Sequence, residues 1–251
     1  MAISVVIIVK NGGTILERCL ESLNSFEDVV VYNNGSTDDT AFIASGYPNV
    51  QLIEGEFIGF GPTKNAAAGF AKNDWILSLD ADEILNEEII QEIKALAYES
   101  KTVYTLLRKN FYKETEVHYC WGADEIVRIY NRKSTSYSDK QVHEHILTNG
   151  FKIEKLSNSF SHFPYQSISE FILKADRYST LFAMDNTGKK DSSPAKAFFN
   201  SLYSFFRTYI LKRGFLDGYA GLIIAFSHMA TNFYKYIKLY EMNLEQKSKR
   251  G

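Results

Sequence analysis

The chain has 251 residues, 45% of them hydrophobic and 23% charged, and a formal net charge of −2. That composition can fill one large domain, or one domain with a helical appendage, and it excludes wholesale disorder. It also excludes a disulfide scaffold, since the two cysteines, Cys19 and Cys120, stand far apart without metal-ligand spacing and read as reduced, structural thiols of a cytosolic protein.

The first half alternates strand and helix patterns. Ser4 to Val9 reads as a β-branched strand, and Thr14 to Leu23 as a helix with Ile15, Cys19, Leu20 and Leu23 on one face. Val29 to Tyr32 is a second strand, followed by the loop Asn33-Asn34-Gly35-Ser36-Thr37-Asp38 and a short helix, capped by Thr37 or Asp38, to about Ala44. Val50 to Ile53 is a third strand. Pro62 opens an alanine-rich helix to about Ala71, Trp75 to Leu79 is a fourth strand, and Glu87 to about Tyr98 is the next helix. Such units indicate an α/β fold, a mainly parallel sheet covered by helices on both faces. Val103 to Arg108 and Glu125 to Tyr130 read as further strands. Beyond Ser167 the pattern is helical, over Ile168 to Asp185, Pro194 to Lys212 and Tyr219 to Glu241. The expected division is residues 1–165 as a catalytic domain and 166–251 as a C-terminal helical region.

No secretory leader is evident, and no run reaches the roughly 18 apolar residues of a membrane-spanning helix. The longest candidate, Tyr219 to Ala230, is broken by Ser227 and His228. Charge is unevenly placed: from Lys196 onward the net is +6, leaving −8 for the rest. A basic tail rich in Phe and Tyr suits an anionic lipid surface. Apolar stripes such as Phe198, Leu202, Phe205, Phe206, Tyr209 and Ile210 are more often packed core, against the catalytic domain or each other. Nucleic acid is not an expected partner, because the body is acidic and no helix-turn-helix, zinc-finger or RNP pattern is present.

The chemistry-bearing stretch is Leu79-Asp80-Ala81-Asp82-Glu83. A buried strand ending in two carboxylates presents them at the C-terminal sheet edge, where ligands bind in open α/β sheets. Carboxylates are hard ligands for Mg²⁺ or Mn²⁺, which then complete their shells with substrate phosphate, whereas the lack of a Cys/His cluster argues against zinc. Gly59-Phe60-Gly61 lacks both the dinucleotide fingerprint and the lysine-terminated phosphate loop, although Lys64 and Asn65 follow it in the first helical turn. In Gln141-Val142-His143-Glu144-His145 two histidines flank a carboxylate that could act as a general base, with His143 or His145 orienting it or completing a metal shell. Asp124 and Glu125 are the alternative bases, and Arg128 could pair with phosphate or with a carboxylate.

Taken in order, residues 4–11 (SVVIIVKN), 34–40 (NGSTDDT), 61–65 (GPTKN) and 79–83 (LDADE) resemble the family 2 glycosyltransferases, which have the GT-A fold. Within them the chain resembles the lipopolysaccharide core group that includes the inner-core β-1,4-glucosyltransferase, through Val142-His143-Glu144, His162-Phe163-Pro164-Tyr165, Lys174 to Tyr178 and Tyr209 to Gly218. The resemblance implies an inverting transfer of sugar, with glucose leading, from a UDP-sugar to a lipopolysaccharide core or related lipid-linked acceptor, at the inner face of the cytoplasmic membrane. It puts Val9, Asn11, Asn33, Asn34, Lys64, Asn65, Asp80 and Ala81 in the nucleotide pocket, Asp82 and His143 at a Mg²⁺ or Mn²⁺ ion, and Glu144 as the base. The family usually has Asp where this chain has Asn33 or Asn34. That departure keeps open a catalytically silent relative that binds a nucleotide-sugar or a partner.

Overall fold

The computed structural model describes residues 2–139 and 144–248. Two compact units are present: residues 1–109 with 123–162, and residues 110–122 with 163–251.

In the first unit, four parallel strands form one half of the sheet: β1 (Ile3–Val9), β2 (Val29–Asn33), β3 (Val50–Glu54) and β4 (Trp75–Asp80). They alternate with helices α1 (Gly13–Ser22), α2 (Thr40–Ser45) and α3 (Phe60–Ala68). The short β5 (Glu83–Ile84) and helix α4 (Glu87–Ala95) follow. Antiparallel strands then extend the sheet: β6 (Thr102–Tyr112), whose end pairs within the second unit with the two-residue β7 (Thr115–Glu116), β8 (Ala123–Asn131) and β9 (Lys152–Tyr165). The strand order is β3-β2-β1-β4-β8-β6-β9-β5. The expected helix-flanked α/β architecture is therefore present, with its parallel half carrying the strand ends of interest.

Alternation along the strands builds two cores. Val5, Ile7 and Val9 of β1 pack with Leu16, Cys19 and Leu20 of α1 and Ile89 and Ile93 of α4. Val6, Val30 and Ile76 face the other way, onto Ala67 and Ala68 of α3. Successive strand residues point to opposite faces, and fully burying each Val or Ile stabilises by about 1.5–3 kcal/mol. Cys19 and Cys120 are buried free thiols.

Four of the local expectations differ from the structure. The third helix begins at Phe60, two residues before Pro62, because Gly59 at φ 106° makes a turn that side-chain-bearing residues rarely adopt. That helix stops at Ala68 rather than Ala71, and α4 stops at Ala95 where Leu96 turns extended. Residues 152–165, not read as a strand from the sequence, form the longest one.

The second unit holds α5 (Ile168–Asn186), α6 (Pro194–Phe206) and α7 (Gly218–Ser248). Ser167 and Ser193 cap the first two, their hydroxyls accepting from the amides of Glu170 and Lys196. Tyr112, Val117, Cys120, Phe171, Ala220 and Ile224 make its small core. Among the described residues, no helix is long and apolar enough to cross a membrane.

Asp28, 2% exposed, ties β1 to the turn before β4: it accepts from the Ser4 hydroxyl at 2.5 Å and the Lys72 amide at 2.8 Å. Asp28→Ala strands both donors and is expected to cost about 2–3 kcal/mol. Urea unfolding checks this, with the midpoint falling at unchanged slope.

Candidate functional site

The parallel strands β1, β2 and β4 end side by side, and their last residues with the loops that follow carry most of the residues singled out from the sequence. After β1, Asn11 sits at φ 57°. Its amide donates to Ser36 Oγ at 2.8 Å, and its side-chain oxygen accepts from the Thr37 amide at 2.8 Å. Val9 is buried, and its carbonyl accepts from the Asn34 amide at 3.0 Å. These bonds knit the loop after β1 to the loop after β2. Asn33 is fully used: its NH₂ donates to both oxygens of Glu54, at 2.9 and 3.0 Å, and its carbonyl accepts from the Ser36 amide at 3.1 Å. Asn34 differs, because its buried Oδ1 has no hydrogen-bond partner among the described residues.

At the end of β4 a charge network converges from four segments. Lys64, from α3, is 4% exposed and reaches Asp80 Oδ1 at 2.9 Å and Glu144 Oε1 at 3.0 Å. Arg128, from β8 and also 4% exposed, reaches Asp80 Oδ2 at 2.7 Å and also binds Glu83. Asp80 therefore has a cation on each carboxylate oxygen. Glu83, from β5, is fully buried; it accepts from the Asp80 amide at 3.0 Å and lies 3.4 Å from Arg108, which in turn pairs with Asp124.

Burial works against the charge on both Lys64 and Arg128, but Asp80, with Tyr137 and then Glu144, outweighs it at Lys64, and Glu83 and Asp80 at Arg128. Both cations are held more basic than usual. Burial likewise opposes the Asp80 carboxylate, yet Lys64 and Arg128 hold it well below the usual carboxylate range. Burial pushes Glu83 up, with Arg128 opposing and Asp80 adding to the rise.

The segment bearing Glu144 is fastened to α3. Asn65 donates to the Tyr137 carbonyl at 3.0 Å and accepts from its amide at 2.9 Å. The Tyr137 hydroxyl bonds Ser78 at 3.0 Å, and its ring lies 5.1 Å from the Lys64 ammonium. Gly61 permits the approach, since a Cβ there would sit 1.9 Å from the Ser138 carbonyl oxygen. Asn65 thus serves the loop through its side chain, and Ala81 packs against the β1–α1 core.

Asp82 lies just beyond β4, with His162 Nε2 at 3.6 Å from its Oδ2. The antiparallel pairing of Glu83 with His162 brings them together. His143 lies outside the described residues, and the exposed His145 engages Ser138 through its backbone. His162 had only its place in the resembling motif as a signal in the sequence. Among the described residues no three His, Cys, Asp or Glu side chains form a metal cage. The Asp82–His162 pair nonetheless offers one carboxylate and one imidazole nitrogen, a partial donor set that suits Mn²⁺ and, less well, Mg²⁺, the remaining positions being left for substrate oxygens. The alternative bases are occupied: Asp124 by Arg108, and Glu125 by Lys155.

Two outcomes are expected. Arg128→Met takes from the buried Glu83 its nearer cation and leaves Arg108 at 3.4 Å, at a cost of about 3 kcal/mol near neutral pH. A carboxyl group titrating higher folded than unfolded destabilises the fold as it ionises, so the deficit shrinks as pH is lowered. Denaturant unfolding across pH reads both effects. Gly61→Ala forces the Ser138 carbonyl away and is expected to cost about 1–3 kcal/mol, read as a lower thermal midpoint.

Residues 4–158 match the family model for glycosyl transferase family 2. An uncharacterized glycosyltransferase of Rickettsia bellii is 29% identical over 264 aligned residues, spanning 97% of this chain and 87% of that one. The lipopolysaccharide core biosynthesis glycosyltransferase LpsC of Rhizobium meliloti is 26% identical over 256 residues, spanning 96% and 93%. Among solved structures, residues 1–349 of Staphylococcus aureus TarS in complex with UDP-GlcNAc align at a TM-score of 0.45 and 15% identity, covering 99% of this chain and 92% of that one. With the family model covering more than half of its length, the chain belongs to glycosyl transferase family 2.

Proposed function

We propose that the protein is an inverting glycosyltransferase that moves a sugar, glucose leading, from a UDP-sugar to a lipopolysaccharide core or related lipid-linked saccharide. The work would take place on the inner face of the cytoplasmic membrane, at an anionic lipid surface. The observation that carries this reading is the convergence of Lys64, Asp80 and Glu144, from three separate segments, beside Asp82 at the C-terminal edge of the parallel strands. The similarity to LpsC supports the acceptor class.

Glu144 is the base in this reading. It takes the proton from the acceptor hydroxyl as that oxygen attacks the anomeric carbon from the face opposite the diphosphate. The bond to the diphosphate oxygen breaks, UDP leaves with the electron pair, and the configuration inverts. Lys64 fixes Glu144 relative to Asp80 and puts positive charge beside the region where negative charge grows. Asp82 and His162 would hold Mn²⁺ or Mg²⁺, which supplies further charge to offset the leaving diphosphate. Asn33 is consumed by Glu54 and Ser36, so Asn34 is the member of that pair with spare acceptor capacity for a uracil N–H.

Calorimetric titration of UDP, GDP, CDP and ADP into metal-free protein, with and without Mn²⁺, tests the donor class. UDP binding that strengthens with Mn²⁺ and is lost in Asp82→Ala supports the reading, and the failure of every nucleotide to bind overturns it. Glu144→Gln is expected to lower turnover on a lipooligosaccharide acceptor by about 10²–10⁴-fold with UDP affinity unchanged. If UDP binds but the native protein turns over no acceptor, the silent binding relative is the better account.

A further inference from the structure

The second unit exposes far more apolar surface than packing requires. In the turn between α6 and α7, Phe206, Ile210, Leu211, Phe215, Leu216 and Tyr219 are each between 44% and 62% exposed. Interleaved with them are Arg207, Lys212 and Arg213, all exposed. The apolar surface is continuous with the helices on either side. Ring centroids step from Phe226 to Phe205 at 5.1 Å, on to Tyr209 at 5.3 Å and to Phe215 at 6.3 Å. From Pro194 to Tyr240 the sequence holds one acidic residue, Asp217.

That one acid is withdrawn from the surface. Asp217 is 8% exposed, and its carboxylate accepts from the amides of His118 at 2.8 Å, Tyr119 at 3.2 Å and Cys120 at 2.8 Å. Lys212 Nζ donates to the Cys120 carbonyl at 3.2 Å, and the Thr208 hydroxyl meets His228 Nδ1 at 3.1 Å. Residues 207–211 form a single π-helical turn, and Arg213 sits at φ 57°. Gly221 lets α7 close on the turn, since a Cβ there would lie 1.8 Å from the Gly214 carbonyl oxygen. The backbone is anchored from beneath while its apolar and basic side chains remain outside, so the exposure belongs to a built surface.

We propose that the turn from Phe206 to Tyr219 is the surface by which this protein rests on an anionic lipid bilayer. It rests on the membrane reading above and deepens it by naming the contact. Exposed apolar patches of this kind mark interaction surfaces, and rings interleaved with cations, with no accessible carboxylate among them, match acyl chains edged by anionic headgroups. Each Arg or Lys at such a surface adds attraction, so Arg207 and Arg213 set the lipid preference while Phe215 and Leu216 enter the interface.

The test is sedimentation of the full chain with vesicles of phosphatidylcholine alone or mixed with phosphatidylglycerol, with light scattering of the protein without lipid. The native protein is expected to bind only the mixed vesicles. Arg207→Gln with Arg213→Gln should lower its partition coefficient by roughly thirtyfold, the equivalent of about 1 kcal/mol per lost cation. Phe215→Ser with Leu216→Ser should also weaken binding, and Lys72→Gln with Lys101→Gln should leave it unchanged. Circular dichroism matching the native protein shows that each variant is folded, and the two turn variants stand independently. If the native protein binds mixed vesicles and both turn variants bind them equally well, this assignment fails while the membrane reading stands. If the native protein binds no vesicle, both fail. A native dimer that becomes a monomer in the Phe215/Leu216 variant identifies a second copy as the occupant and overturns the proposal.

Discussion

Two cations buried to 4% exposure, Lys64 and Arg128, organise the first unit. Neither could be buried there without a carboxylate close by, because an unpaired buried charge costs several kcal/mol. Asp80 meets both, one on each oxygen, while Glu144 and Glu83 complete the pairing. Helix α3, strand β8 and the β4–β5 turn are thereby tied to a single carboxylate, and Glu144 joins them through Lys64. The arrangement leaves Asp80 electrostatically committed and Asp82, two residues further, still partly exposed. The two acids of this short motif thus occupy unlike environments.

The same economy recurs in the second unit in a different form. Asp217 binds three successive backbone amides in place of cations, and through them holds an irregular stretch of chain in one conformation. Backbone N–H groups turned inward need an acceptor, and a buried carboxylate with two oxygens can satisfy several at once. In the second unit a buried acid stabilises backbone that no regular ladder supports, whereas in the first an acid at a strand end binds side-chain cations. What stands above it is held in place: the Asp82 loop in one, the Phe206–Tyr219 turn in the other.

The loops after β1 and β2 follow a quieter version of that logic. Asn11, Ser36 and Thr37 exchange hydrogen bonds across two strand ends, and Asn33 is closed off by Glu54. An Asp at position 33 would face the Glu54 carboxylate at hydrogen-bond distance. The amide therefore fits this chain for a local reason, independent of any ligand.

The sequence by itself determined the parallel half of the fold. β1, β2 and β4 are predominantly apolar runs that end at turn-forming or acidic residues, and this pattern is local enough to read directly. It also placed Asp80, Asp82, Lys64 and Glu144 among the candidates, because charged residues at strand ends and helix starts stand out against an apolar background. It missed β9, where Leu156, Phe160 and Phe163 are the buried positions. Their spacing of four and three is a helical one, and it hides a strand whose other residues are mostly polar. Only the tertiary structure decided that His162 meets Asp82 across eighty positions, that Asn65 serves the Tyr137 backbone, and that Lys64 and Arg128 share Asp80. It also decided which tail aromatics are core and which are surface. These are long-range pairings, and their geometry is set by strand register and helix packing that no short window of sequence contains.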